Sequence, residues 1–264
     1  MKIDSRYIGA VMIAPFLIFI LLGGEYLRVL TFILSIGALY EFYKAIKIKG
    51  FKPISIVGYI LLISYYLVNN NFESIMYILI IGTFILLIVP VMNFKYTFVD
   101  VSLTILGFIY TGILFSFVYL VNEKVNGEYL VWLIFIGSWL SDTAAFYSGK
   151  FFGKHKLCPK VSPKKTIEGS IGGMLGATIF SGIFGIIVNN YVGIMSIYHY
   201  FLIGALCGIV GQFGDLVASS IKRYVEIKDY SNLIPGHGGI LDRFDSVIFS
   251  CTAIYYYLTF IVGI

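Results

Sequence analysis

The feature that most constrains this chain is the length of its uninterrupted apolar runs. Nine can be drawn, at about 7–23, 26–46, 54–69, 73–93, 98–121, 128–149, 168–189, 197–221 and 242–263. An apolar stretch of roughly 18 or more residues is long enough to cross a bilayer as a helix. A soluble amphipathic helix would show a single apolar stripe, and the strands of a membrane barrel would alternate polar with apolar residues. Composition agrees: 59% of the 264 residues are hydrophobic and 12% charged, against about 25% charged in a soluble domain. Backbone polar groups cannot stay unpaired in hydrocarbon, so the expected fold is all-α, a polytopic membrane protein of about nine transmembrane helices.

The three cysteines, Cys158, Cys207 and Cys251, are far apart and show no CxxC spacing. They read as small apolar fillers, and a disulfide framework is not expected. The opening "MKIDSRYIGAVMIAPFLIFILLGG" has the basic start and apolar run of a signal peptide, without a convincing small-x-small cleavage site. It reads as a retained first span.

Sidedness follows from the basic residues. With the N-terminus in the cytoplasm, that side receives 17 of the 19 Lys and Arg residues, leaving only Arg28 and Lys124 opposite. Such a bias is what the positive-inside rule demands of a correct span count. The sequence then divides at about residue 124. Residues 1–124 supply about five spans with few unusual polar groups, and 125–264 hold nearly all of the polar motifs.

Three constellations stand out. In "WLSDTAAFYSGKFFGKHKLCPKVSPKKTIEGSIGG", residues 139–173, Asp142 interrupts an apolar span, where an ionised carboxylate costs several kcal/mol unless paired or hydrated. The loop that follows carries six lysines between 150 and 165, among them Lys154, Lys164 and Lys165, and no acid. An anchor on anionic lipid would account for the charge alone. Yet Thr166 is placed to cap the next helix, Gly169–Gly173 keep its start slim, and the adjacent lysines suit a polyanion such as a triphosphate. In "GQFGDLVASSIKR", residues 211–223, helical spacing puts Asp215, Ser219, Lys222 and Arg223 on one face. In "LIPGHGGILDRFDS", residues 233–246, Pro235 and Gly236 make a turn, and Gly238 and Gly239 admit close backbone approach. Asp242 and Asp245 follow at a helix start, three apart and pointing the same way. With Asp215 they form an oxygen-donor set suited to Mg²⁺. His237 is open to a phosphate-donor or a structural role, while His155 and His199 have no comparable context.

Phosphate-binding cations beside carboxylates on the cytoplasmic side suggest phosphoryl or nucleotidyl transfer. A phosphate nucleophile is already ionised at neutral pH, so no strong general base is required. A transporter would explain Asp142 and Asp215 but not the lysine loop, and the CDP-alcohol phosphotransferase string DGxxAR is absent.

Residues 219–245, "SSIKRYVEIKDYSNLIPGHGGILDRFD", resemble the signature of the phosphatidate cytidylyltransferases, and the likeness extends upstream through 139–173. The family commonly has Glu before the motif serine, where this chain has Ala218. The resemblance implies transfer of CMP from CTP to phosphatidate, giving CDP-diacylglycerol and pyrophosphate, with Mg²⁺ required. It implies catalytic roles for Asp215, Asp242, Lys222 and Arg223, and metal ligation by Asp215 and Asp242 with Asp245 adjacent. Substrate contacts are expected from Asp142, Lys154, Ser162, Lys164, Lys165, Thr166, Ser219, Lys228, His237 and Arg243. A homodimer and a monovalent cation such as K⁺ are also implied. The expected setting is a bacterial cell membrane, with the site facing the cytoplasm and no nucleic-acid partner.

Overall fold

The computed structural model describes residues 16–68, 72–233 and 238–264. Its main helices are α1 (Gly24–Ile48), α2 (Ser55–Leu67), α3 (Phe72–Met92), α4 (Phe98–Asn122), α5 (Gly127–Phe152), α6 (Ile167–Asn189), α7 (Ile197–Tyr224) and α8 (Leu241–Val262). All but α2 are long and apolar enough to cross a membrane, and the chain is a polytopic α-helical membrane protein. The first expected span, 7–23, lies largely outside the described residues; the part that is described is helical over 16–22. Gly23 and Gly24, both at positive φ (60° and 51°), separate that helix from α1. An L side chain would be strained there, and the Gly24 N–H donates to the Asn122 side chain at 2.7 Å.

One departure from an all-helical reading follows α5. Lys156–Cys158 (β1) and Ser162–Thr166 (β2) pair antiparallel inside the lysine loop. Thr166 then caps α6, its hydroxyl accepting from Gly169 N at 3.1 Å. A second departure is local widening. Turns of π-helix occur at Ile109–Ile113 within α4, at Ile136–Leu140 within α5 and at Leu258–Val262 ending α8.

Helix α7 packs against α6 on one side and α8 on the other, α6 packs on the second half of α5, and α4 closes on α8 and α1. Helix α3 is largely exposed at the periphery. Small residues bring α5 and α6 together. A Cβ on Gly173 would meet that of Ala145 at 2.9 Å, and one on Gly172 or Gly176 would collide with Ser148 or Ala144. Close backbone approach of this kind is how helices associate where lipid is as apolar as the side chains. The glycines expected to keep the start of α6 slim thus serve helix packing at Gly172 and Gly173, while Gly169 also lines a cavity.

Contacts between helix ends sort the termini into two levels. At one level Lys49, after α1, pairs with Glu226, after α7, at 2.5 Å, and Lys52 N donates to Asp100 in the first turn of α4. At the other, Lys124 Nζ donates to the Ile264 carbonyl, and the Arg28 guanidinium reaches the Tyr66 carbonyl near the end of α2. Helix α2 therefore runs from the first level to the second although it has only 13 residues.

Candidate active site

The second half of α5, the β-ribbon, the start of α6 and the middle of α7 enclose a cavity of about 370 Å³. Asp142 and Lys150 reach it from α5, Lys164 and Lys165 from the ribbon, and Gln212 and Asp215 from α7. The π-turn at Ile136–Leu140 ends immediately before Ser141–Asp142. One extra residue in a turn rotates all that follows by about 100° relative to an unbroken helix. The turn thus decides which face carries Asp142.

Across this cavity Lys165 Nζ forms an ion pair with Asp215 Oδ2. The other Asp215 oxygen accepts from Ser219 Oγ at 3.2 Å, one helical turn on, as the shared face predicted. Asp142 accepts from Ser246 Oγ at 3.3 Å, which links α5 to α8. Asp245 is buried, one oxygen accepting from Ser246 N at 2.7 Å. Asp142, Asp215 and Asp245 lie within electrostatic reach of one another, and Lys165 and Arg243 act on Asp142.

Asp242 belongs to a different arrangement. Its Oδ1 pairs with Lys222 Nζ at 2.6 Å, and its Oδ2 accepts from Tyr230 N at 2.8 Å and Gly239 N at 3.0 Å. Both of its oxygens are engaged by protein donors, so it does not converge with Asp215 and Asp245 as the sequence suggested. Among the described residues no three His, Cys, Asp or Glu side chains gather closely enough to hold a metal ion. Lys165 pairs with Asp215 and Lys222 with Asp242, so two of the three acids already have cationic partners.

Other expected site residues are dispersed. Thr166 acts as the helix cap and also lines the cavity. Arg223 is exposed, its Nε donating to the Val161 carbonyl at 3.2 Å, so it fastens α7 to the turn between the two strands. Ser162 pairs with Cys158 in the ribbon, and Lys154 is exposed with its backbone N–H on Glu168 at 3.0 Å. Lys228 and Arg243 are exposed. His237 lies outside the described residues. His155 and His199 have structural partners, Glu168 at 2.7 Å and Tyr257 at 2.9 Å. The three cysteines are free, as expected. Ala218 is wholly buried, and its carbonyl accepts from the Tyr230 hydroxyl at 3.2 Å. Burial pushes that phenol well above its usual range, so it stays a neutral donor.

Sequence reasoning missed Glu41. This α1 carboxylate is buried and accepts from Ser231 Oγ at 2.5 Å and from the N–H groups of Ile240 and Leu241, each at 2.9 Å. It is an intramembrane acid like Asp142, and the same criterion would have flagged it. Gln212 was missed as well. Its Nε2 donates to the carbonyls of Ser170 and Gly208, which ties α7 to the first turn of α6.

Fold and cavity together define a polytopic membrane protein that presents a lysine- and aspartate-lined chamber among its last long helices. The chain belongs to the cytidylyltransferase family, whose profile matches residues 5–261. It is 36% identical over 240 residues to the phosphatidate cytidylyltransferase of Staphylococcus haemolyticus, covering 89% of this chain and 90% of that one. It is 33% identical over 258 residues to the phosphatidate cytidylyltransferase of Bacillus subtilis, covering 95% of each. The relation anticipated from residues 219–245 thus extends over nearly the whole chain.

Proposed function

We propose that this chain is a phosphatidate cytidylyltransferase, a nucleotidyltransferase of phospholipid synthesis that converts CTP and phosphatidate to CDP-diacylglycerol and pyrophosphate. The observation that carries the reading is the chamber of about 370 Å³ in which Lys150, Lys164 and Lys165 face Asp142 and Asp215. An anionic lipid phosphate and a triphosphate repel one another, and clustered ammonium groups remove that barrier. A lipid phosphate oxygen bonds to the α-phosphorus while the bond from that phosphorus to the β-phosphate bridging oxygen breaks. Pyrophosphate leaves with the electron pair. Lys164 and Lys150 neutralise the triphosphate, and Lys165 exchanges Asp215 for a phosphate oxygen as the nucleotide enters. Lys222 holds Asp242 in place, and Arg223 keeps the lysine ribbon docked on α7.

Asp142 and Asp215 would hold Mg²⁺ together with substrate phosphate oxygens once Lys165 turns from Asp215 to the nucleotide, since that ion commonly takes only one or two carboxylates from protein. Bound there, it would neutralise phosphate charge as the transition state forms. Asp245 is the candidate donor for a monovalent cation such as K⁺, and the assembly in the membrane is a homodimer. The nine-span topology with a cytoplasmic N-terminus belongs to the same reading. The two levels of helix ends support it, since Lys49, Lys52 and the end of α7 share one level while Arg28 and Lys124 occupy the other.

The deciding experiment is incorporation of radiolabelled CTP into lipid by the purified protein. Labelled product should require phosphatidate and Mg²⁺ together. No incorporation by folded protein supplied with both would overturn the assignment.

A further inference from the structure

We infer that Glu41 is a positioning residue for the reaction, a carboxylate delivered by α1 that sets the start of α8. The inference rests on the cytidylyltransferase reading, since it concerns that same site. Helix α8 opens without a side-chain cap from its own N-cap residue, Ile240. The first N–H groups of a helix need acceptors, most of all when buried. Gly239 N goes to Asp242, and Ile240 N and Leu241 N both go to Glu41. Both oxygens of Glu41 are used: Oε1 takes Ser231 Oγ and Ile240 N, and Oε2 takes Leu241 N.

Two carboxylates therefore grip the same two stretches of chain. Asp242 joins Tyr230 to Gly239, and Glu41 joins Ser231 to Ile240 and Leu241. The residue after Leu241 is Asp242 itself, and Asp245 is one turn further on. Displacing the α8 start displaces both acids and the Lys222 pair. The fit is tight, because a Cβ on Gly239 would lie 2.5 Å from Glu41 Oε1. An anion at a helix N-terminus is also favoured by the helix dipole. Glu41 does not line the chamber, and its hydrogen bonds go to Ser231 and the start of α8, so its effect on turnover passes through α8.

The test is Glu41→Gln, which keeps the shape but turns an amide donor toward one of the N–H groups. It is assayed as purified protein with CTP and phosphatidate beside the wild type, with hydrogen exchange read by mass spectrometry. We expect kcat per folded enzyme to fall at least about tenfold with the KM for CTP changed much less, because displaced reacting groups cost turnover. Exchange should rise at Ile240 and Leu241 and not throughout the chain. Near wild-type kcat, or a uniform rise in exchange, would overturn the inference. Should Glu41→Gln not fold, Gly239→Ala carries the same comparison: a similar loss of kcat supports the role, and an unchanged kcat overturns it. An inactive wild type would instead count against the cytidylyltransferase reading.

Discussion

Lys165 and Lys222 each neutralise an aspartate, yet the two pairs differ in what surrounds them. Lys165–Asp215 borders the open chamber, whereas the Lys222 and Asp242 side chains are 11% and 3% exposed. Loss of one charge-assisted contact of about 1.5–3 kcal/mol corresponds to roughly 10- to 150-fold. Lys164→Ala and Lys165→Ala should therefore raise the KM for CTP within that range and leave the KM for phosphatidate nearly unchanged. Steady-state kinetics with each substrate varied separately would show this, and an effect confined to phosphatidate would move the ribbon to lipid binding. Asp215→Asn should lose about two orders of magnitude in kcat at saturating CTP, because it removes charge from the chamber. Asp242→Asn should lose activity by releasing Lys222 and the start of α8. Only Asp242→Asn should also unfold markedly earlier on heating in detergent, because stranding a buried lysine costs about 3–5 kcal/mol. Asp142, Asp215, Ser219, Lys164 and Lys165 were legible in the sequence because a charge in an apolar run or a regular spacing marks them. The pairing of Asp242 was not legible, because its partners Tyr230 and Gly239 bond through backbone N–H groups that any residue type carries.

The helices themselves were readable from apolar run length, and every expected span from 26–46 onward falls on a helix. What the runs could not reveal was geometry within them. A π-turn has no periodic signature, so the orientation of Asp142 beyond Ile136–Leu140 was out of reach. The ribbon was equally hidden, since a lysine-rich segment between spans reads as a solvated loop. The glycines of α6 were visible as a slim helix start, but what the slimness serves was not, because tight packing and ligand clearance ask for the same residue. A substitution separates these uses. Gly172→Leu should push α6 off Ser148 of α5, widen the chamber and reduce activity at least about tenfold with helical content kept. Gly193→Ala, with nothing within 4 Å, should match the wild type in circular dichroism and turnover.

At the scale of the whole molecule, the two levels of helix ends can be tested with a membrane-impermeant thiol reagent. In a background with the native cysteines replaced by serine, Lys160→Cys should be labelled only from the cytoplasmic face. Asn126→Cys should be labelled only from the opposite one. Labelling of both from one face would rule out the nine-span topology. The division of the chain near residue 124 also has to accommodate Glu41, which lies far to its N-terminal side yet bonds at the start of α8. That contact orders events during synthesis. Glu41 leaves the ribosome 199 residues before Ile240, the partner that immediately precedes α8. At about 5–20 residues per second, the nascent chain waits on the order of 10–40 s for the strand of sequence that satisfies this carboxylate. Through that interval the second half of α1 carries an acid without these backbone partners, and α8 emerges after the other described long helices. The active centre is therefore completed only once α8 has emerged, and a chain released before α8 would keep its lysine ribbon while lacking the helix start that Glu41 receives.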